Sequence, residues 1–208
     1  DDSSTERLIA RFREVEAEGD RARPLYAYFH LNDPHAPYKS HAPYCPHANA
    51  GAGCTPKCRY QSEIDFVGAQ LEQLFDEMGW WEDAIIVLVN DHGEEFGEHG
   101  QRGHKFSLHP EVCRAPLMIS APGLPSTRTP TPAHQVDILP TILGLVGLPK
   151  PSTTDGMDLI GEANPREHAN RPLLSHRSEP NSGKAGKELW SLILGDVRPT
   201  DAPPPRAR

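Results

Sequence analysis

Leu8, Ile9, Phe12 and Val15 recur at the spacing of one helical face, with Ser3 and Glu6 forming a capping-box pattern ahead of them and Gly19 closing the run. The next apolar stretch, PLYAYFHL from Pro24, is rich in aromatics and bounded by turn residues. It is expected as a buried strand ending near His30 or Leu31. Residues 41–59 lack periodicity and carry Pro, Gly, Ala and Cys, the mark of an irregular surface excursion. A second helix is expected from a cap at Ser62, with Ile64, Val67, Leu71, Leu74, Phe75 and Met78 along one face and Gly79 as its stop. Residues 84–89 and 115–121 read as two further strands, and VDILPTILGLVGLP as a third apolar helix ending at Gly147.

Alternation of helix and strand predicts a layered α/β fold with a mostly parallel central sheet. Beyond Pro149 the pattern weakens. Residues 151–208 are therefore expected as an extension holding one strand, at residues 188–195, and a disordered tail, DAPPPRAR. This divides the chain into residues 1–150 and 151–208.

Composition narrows the function classes. The 208 residues are 37% hydrophobic, enough for one core of ordinary size. A formal charge of -8 argues against nucleic acid or an anionic membrane as the main partner, since both require a basic surface. No apolar run approaches the roughly 20 residues that span a bilayer. The opening DDSSTERLIARF lacks the basic start and apolar stretch of a secretion signal. Cys45, Cys54 and Cys58 lie close in sequence, with His41 and His47 nearby. Their irregular spacing leaves three readings open: a structural zinc site, one disulfide, or plain thiols. Cys113 precedes an apolar run and reads as core.

Candidate chemistry collects behind two of the expected strands. In open α/β sheets the ligand crevice lies beyond the carboxyl ends of the strands, so HLNDPHAPY and NDHGEEFGEHG are placed to face one pocket. Asp91 and His92 pair a carboxylate with an imidazole, a set that suits a divalent metal, and Gly93 permits a sharp turn. The alternative is that Asp91 forms a turn and His92 is a solvated loop residue. His35 can contact an anion or act as an acid, or be a packed loop residue. His104 and Lys105 can supply positive charge to a bound anion, or form a solvated patch. One acid among Glu94, Glu95 and Glu98 can support His92. His99 and His109 receive no assignment.

The ordered set is more specific than its parts. DPHAPY, YQSEI, NDHGEEFGEHG, GH, RAPLMISAPG and VDILPTILGLVGLP, in that order, resemble the sulfatase family of the alkaline-phosphatase-like superfamily over about Phe12 to Met157. The resemblance implies an alkaline-phosphatase-like fold and metal-dependent hydrolysis of sulfate esters, of small molecules or glycans. It places Asp91 and His92 as metal ligands. His35 resembles the histidine that touches the sulfate or leaving oxygen. His104 falls at a catalytic or sulfate-binding position, with Lys105 beside it. His109 stands where an aromatic is usual, and Gly68 where an aspartate is common.

Calcium is the metal the resemblance implies, with manganese or zinc favoured by an imidazole ligand. Family members also carry a C-x-P-S-R or S-x-P-S-R segment, whose Cys or Ser becomes formylglycine, and an upstream Asp-Asp strand. Neither occurs here. The chain is thus expected to be a carboxyl-side portion, incomplete at the amino-terminal side of the fold, inactive alone and marginally stable. Related chemistry on phosphodiesters, phosphonates or phosphoethanolamine, and a non-catalytic metal- or partner-binding module, are the alternatives. Periplasmic or secreted localisation follows only from the resemblance, and the sequence carries no indication of oligomeric state.

Overall fold

In a computed structural model the described residues are 5–19, 23–41, 44–45, 53–105, 107–129, 132–161, 171–178 and 188–193. They belong to two compact units, Asp1–Trp81 and Glu82–Arg208. Ser3, His47 and the carboxyl-terminal tail lie outside the described residues. No helix among the described residues is long and apolar enough to cross a membrane.

In the first unit, α1 (Thr5–Glu18) buries Ile9 and Phe12. Phe12 meets Phe29 and Trp80 edge-on, with ring centroids 4.6 and 4.8 Å apart, the arrangement that ring quadrupoles favour. Helix α2 (Pro56–Met78) starts earlier than the expected cap at Ser62. Thr55 is the true cap: its Oγ1 accepts from the Cys58 amide at 3.2 Å, and Pro56 follows in the first turn, where a missing N–H costs nothing. Ser62 lies inside the helix, fully buried, and grips the preceding loop instead. Its hydroxyl accepts from the His41 amide at 2.8 Å and donates to the His41 carbonyl at 3.1 Å. Gly79 ends the helix at φ 68°, as its position predicts. One further turn, α3 (Trp80–Asp83), follows.

Residues 24–31 do not form the expected buried strand. Tyr26 and Tyr28 are 80% and 76% exposed, and this stretch has no ladder partner among the described residues. An apolar run becomes a buried strand only where a neighbour takes up its backbone N–H and C=O groups, and hydrophobicity alone does not provide one.

The second unit opens with β1 (Ile86–Val89), paired antiparallel to β4 (Leu117–Ser120) so that Val89 faces Leu117. Between them run β2 (Glu95–Phe96), β3 (Arg102–Gly103) and α4 (Pro110–Cys113). Gly97 and Gly100, at φ 114° and 79°, turn β2 back onto β3, so the glycine-broken loop is itself a small hairpin. Cys113 closes α4 and is half-buried. The pairings among the described residues are all antiparallel, the third joining β5 (Leu173–Ser178) to β6 (Glu188–Ile193). This corrects the mostly parallel expectation for the segments seen here. Apolar runs bounded by turns report that strands form but not their direction, which the pairing of Ile86 with Ser120 through Val89 with Leu117 decides here. β6 falls where a strand was expected, whereas β5 had no forecast.

A 3-10 turn (Gln135–Asp137) leads into α5 (Ile138–Leu145). Asp137 is fully buried and accepts from both guanidinium ends of Arg171, Nη1 to Oδ1 at 2.6 Å and Nη2 to Oδ2, and from the amides of Met157 at 2.9 Å and His134 at 2.7 Å. Residues beyond 150 are therefore tied into the second unit. Burial alone would push the Asp137 carboxyl up, but the bonds from Arg171 and the two amides outweigh it and hold the group below its ordinary value.

Arg171→Ala leaves Asp137 buried without its cation. It is expected to lower unfolding free energy by about 3 kcal/mol at pH 7, read from urea titration. Because the folded value of Asp137 is depressed, its contribution is complete above the unfolded value of about 3.9 and is lost as pH falls through the folded one. The gap between variant and parent should therefore close in acid.

Candidate active site

Strand β1 delivers Asp91 and His92 just past its carboxyl end. The Asp91 side chain is exposed, and its Oδ1 accepts from the His92 amide at 2.9 Å. His92 Nδ1 lies 2.9 Å from the Gly93 carbonyl, which can only accept, so the proton sits on Nδ1 and the lone pair on Nε2. That Nε2 is 3.6 Å from Asp91 Oδ2. Two ligands on one ion at bond lengths of about 2.1–2.4 Å stand about 3.0–3.4 Å apart, so the pair fits a divalent cation with a small adjustment.

Gly93 acts differently from the sharp turn expected of it. Its amide donates to Val112 O at 2.7 Å, and an added Cβ would lie 2.1 Å from the Glu111 carbonyl oxygen. Only glycine lets the loop carrying Asp91 and His92 rest on α4. A second clamp comes from Gln135, whose Nε2 donates to the carbonyls of Asn90 and Asp91, both at 2.9 Å. The hairpin then returns His104 to the same place: its ring stacks on that of His92 with centroids 3.9 Å apart. His104 Nδ1 donates to Glu94 Oε1 at 3.1 Å, leaving Nε2 for chemistry. Thus Glu94 supports His104, where support for His92 was expected. Lys105 follows and is exposed.

Behind this group lies a polar cluster that the sequence left unassigned. Glu95 is 1% exposed, and accepts from His109 Nδ1 at 2.6 Å and Ser107 Oγ at 2.8 Å. The His109 bond, aided by Ser107, outweighs burial and holds the Glu95 carboxyl below its ordinary value. His99 packs against the His109 ring at 3.9 Å and donates to Glu111 Oε2 at 3.1 Å. His109 in place of the usual aromatic, with an acid at 95, was the available signal.

His35 belongs to the first unit. It is exposed, and its Nδ1 donates to the Ala36 carbonyl at 2.7 Å, so Nε2 is again the nitrogen left for a ligand. Its loop is anchored by Glu63, buried in α2, whose Oε1 accepts from the Lys39 amide at 2.7 Å. Burial pushes the Glu63 carboxyl up, against that bond. In the same unit Cys45, Cys54 and Cys58 gather, and hydrogen bonds with Cys54 and Cys45 push the Cys58 thiol up to about 12.

Comparison with known proteins agrees with these motifs. The family model described as Sulfatase matches residues 1–148. A multifunctional alkaline phosphatase superfamily protein, PehA of Trinickia caryophylli, is 32% identical over 106 residues, covering 50% of this chain and 20% of the relative. A choline-sulfatase of Rhizobium meliloti (strain 1021) is 28% identical over 126 residues, covering 58% and 24%. A solved structure from work on metabolism of multiple glycosaminoglycans by Bacteroides thetaiotaomicron aligns at a TM-score of 0.64 with 18% identity, covering 90% of this chain and 46% of that one. The fold is thus alkaline-phosphatase-like. The matches span 20% and 24% of the two relatives' own lengths.

His109→Phe restores an aromatic but removes the main donor to buried Glu95. The variant is expected to be less stable than the parent at pH 7. Since the folded Glu95 value is depressed, the difference should shrink as pH falls below the unfolded value of about 4.3, which thermal melts across pH 3–7 would show.

Proposed function

The chain belongs to the sulfatase family, and on that premise we propose that it carries the metal-holding and proton-donating side of a hydrolase acting on sulfate esters of glycans or small molecules. The observation that supports this reading is the gathering of Asp91, His92 and His104 at the end of β1. Asp91 and His92 would hold a divalent cation, calcium by family expectation, with manganese or zinc suited to the imidazole. Bound there, the ion would polarise the oxygens of the ester. Affinity should be weak, because calcium takes six or more oxygens and zinc four donors, and this pair offers two.

His104 is oriented by Glu94 so that Nε2 is the atom available to hand a proton to the leaving oxygen or to bind the anion. We assign the same class of role to His35, whose Nδ1 is likewise engaged by a carbonyl. Lys105 would add positive charge for the anion. No C-x-P-S-R or S-x-P-S-R segment occurs in these 208 residues, so no attacking group is assigned. A second reading, phosphodiester or phosphonate hydrolysis at the same pocket, draws support from the match to a multifunctional member of the superfamily.

The 208-residue chain is expected not to turn over p-nitrophenyl sulfate, and robust hydrolysis would refute this account. Calorimetry should detect weak calcium or manganese binding that Asp91→Asn and His92→Ala each remove. In a protein that also contains the C-x-P-S-R segment, His104→Gln should lower kcat by roughly 10²–10⁴-fold. Profiling that protein on sulfate monoesters against phosphodiesters separates the two readings.

A further inference from the structure

Three thiols stand outside the chemistry of the strand tip. The ligand atoms of Cys45, Cys54 and Cys58 lie within 4.8 Å of one another, with the sulfurs of Cys45 and Cys58 3.4 Å apart. No disulfide joins them, since a sulfur–sulfur bond is about 2.0 Å long. A tetrahedral zinc with bonds of about 2.3 Å to sulfur sets its sulfurs about 3.8 Å apart. The observed triangle is already close to that size.

The frame that creates the triangle is made of ordinary backbone and side-chain bonds. Cys54 and Cys58 flank the cap of α2, at a spacing within the two to four intervening residues typical of zinc pairs. Thr55 Oγ1 fixes the Cys58 amide, and Arg59 Nη1 donates to the Cys54 carbonyl at 2.6 Å. On the other side, the Cys45 amide donates to His41 O at 3.0 Å, and Ser62 grips both backbone groups of His41. The His41 ring stacks on Phe66 with centroids 4.1 Å apart, which holds the turn bearing Cys45 against α2 and leaves the fourth position of the ion to water.

We propose that Cys45, Cys54 and Cys58 bind one zinc ion, which ties Cys45 to the start of α2. The site is structural. It is independent of the reaction proposed for Asp91, His92 and His104. Three thiols must give up protons to the ion, so uptake releases protons and weakens as pH falls.

The full chain, prepared with reductant and zinc and then desalted, is expected to retain one zinc per chain by plasma mass spectrometry. Cobalt substitution should produce thiolate-to-cobalt charge-transfer absorption. Cys54→Ser and Cys58→Ser should each weaken zinc binding on the order of 100-fold in competition with a chromophoric chelator. Cys113→Ser should leave binding unchanged. If the serine variants do not fold, the cobalt spectrum of the unaltered chain decides: a spectrum without thiolate bands overturns the site. It is overturned equally by a reduced chain that retains no zinc, or by zinc that is lost on Asp91→Asn but kept on Cys54→Ser.

Discussion

The second unit rests on one buried carboxylate. Removing Asp137 from water costs several kcal/mol unless every lone pair finds a partner, and here Arg171 and the amides of His134 and Met157 provide them. The partners come from three separated stretches of chain, so satisfying one charge sets where all three lie. The same turn carries Gln135, and its two bonds to the carbonyls of Asn90 and Asp91 transmit that placement to the end of β1. The geometry of Asp91 and His92 is thus set by a salt bridge in which neither residue takes part.

The two imidazoles at the strand tip are oriented by different means to the same end. A backbone carbonyl holds Nδ1 of His92, and a nearly buried glutamate holds Nδ1 of His104. Each ring is left with Nε2 to offer, one beside a carboxylate oxygen and suited to a cation, the other suited to an anion or a leaving oxygen. Stacking of the rings at 3.9 Å keeps the two imidazoles side by side.

Elements defined by local physics were legible in the sequence. Gly79 had to end α2, the strands around residues 86–89 and 117–120 follow from short apolar runs bounded by turns, and VDILPTILGLVGLP contains a helix as its periodicity requires. That Asp91, His92 and His104 come together past a strand end was legible from their order behind a short apolar run. What depends on partners distant in sequence was not legible. The exchange of an aromatic for His109 hinted at a polar partner without pointing to Glu95, and nothing near Asp137 announces Arg171. The aromatic run at residues 24–31 was misjudged for the same reason, since pairing is decided by a neighbour. Ser62 was given a cap's role on composition, although Thr55 and Pro56 together make the better helix start.

The contact between Gly93 and the Glu111 carbonyl bounds how this pocket can be altered. Position 93 admits no side chain: a single methyl would press on that carbonyl and wedge the loop off α4, carrying Asp91 and His92 with it. Variation in this segment is thereby channelled into the side chains at positions 91 and 92 and away from the glycine that follows them.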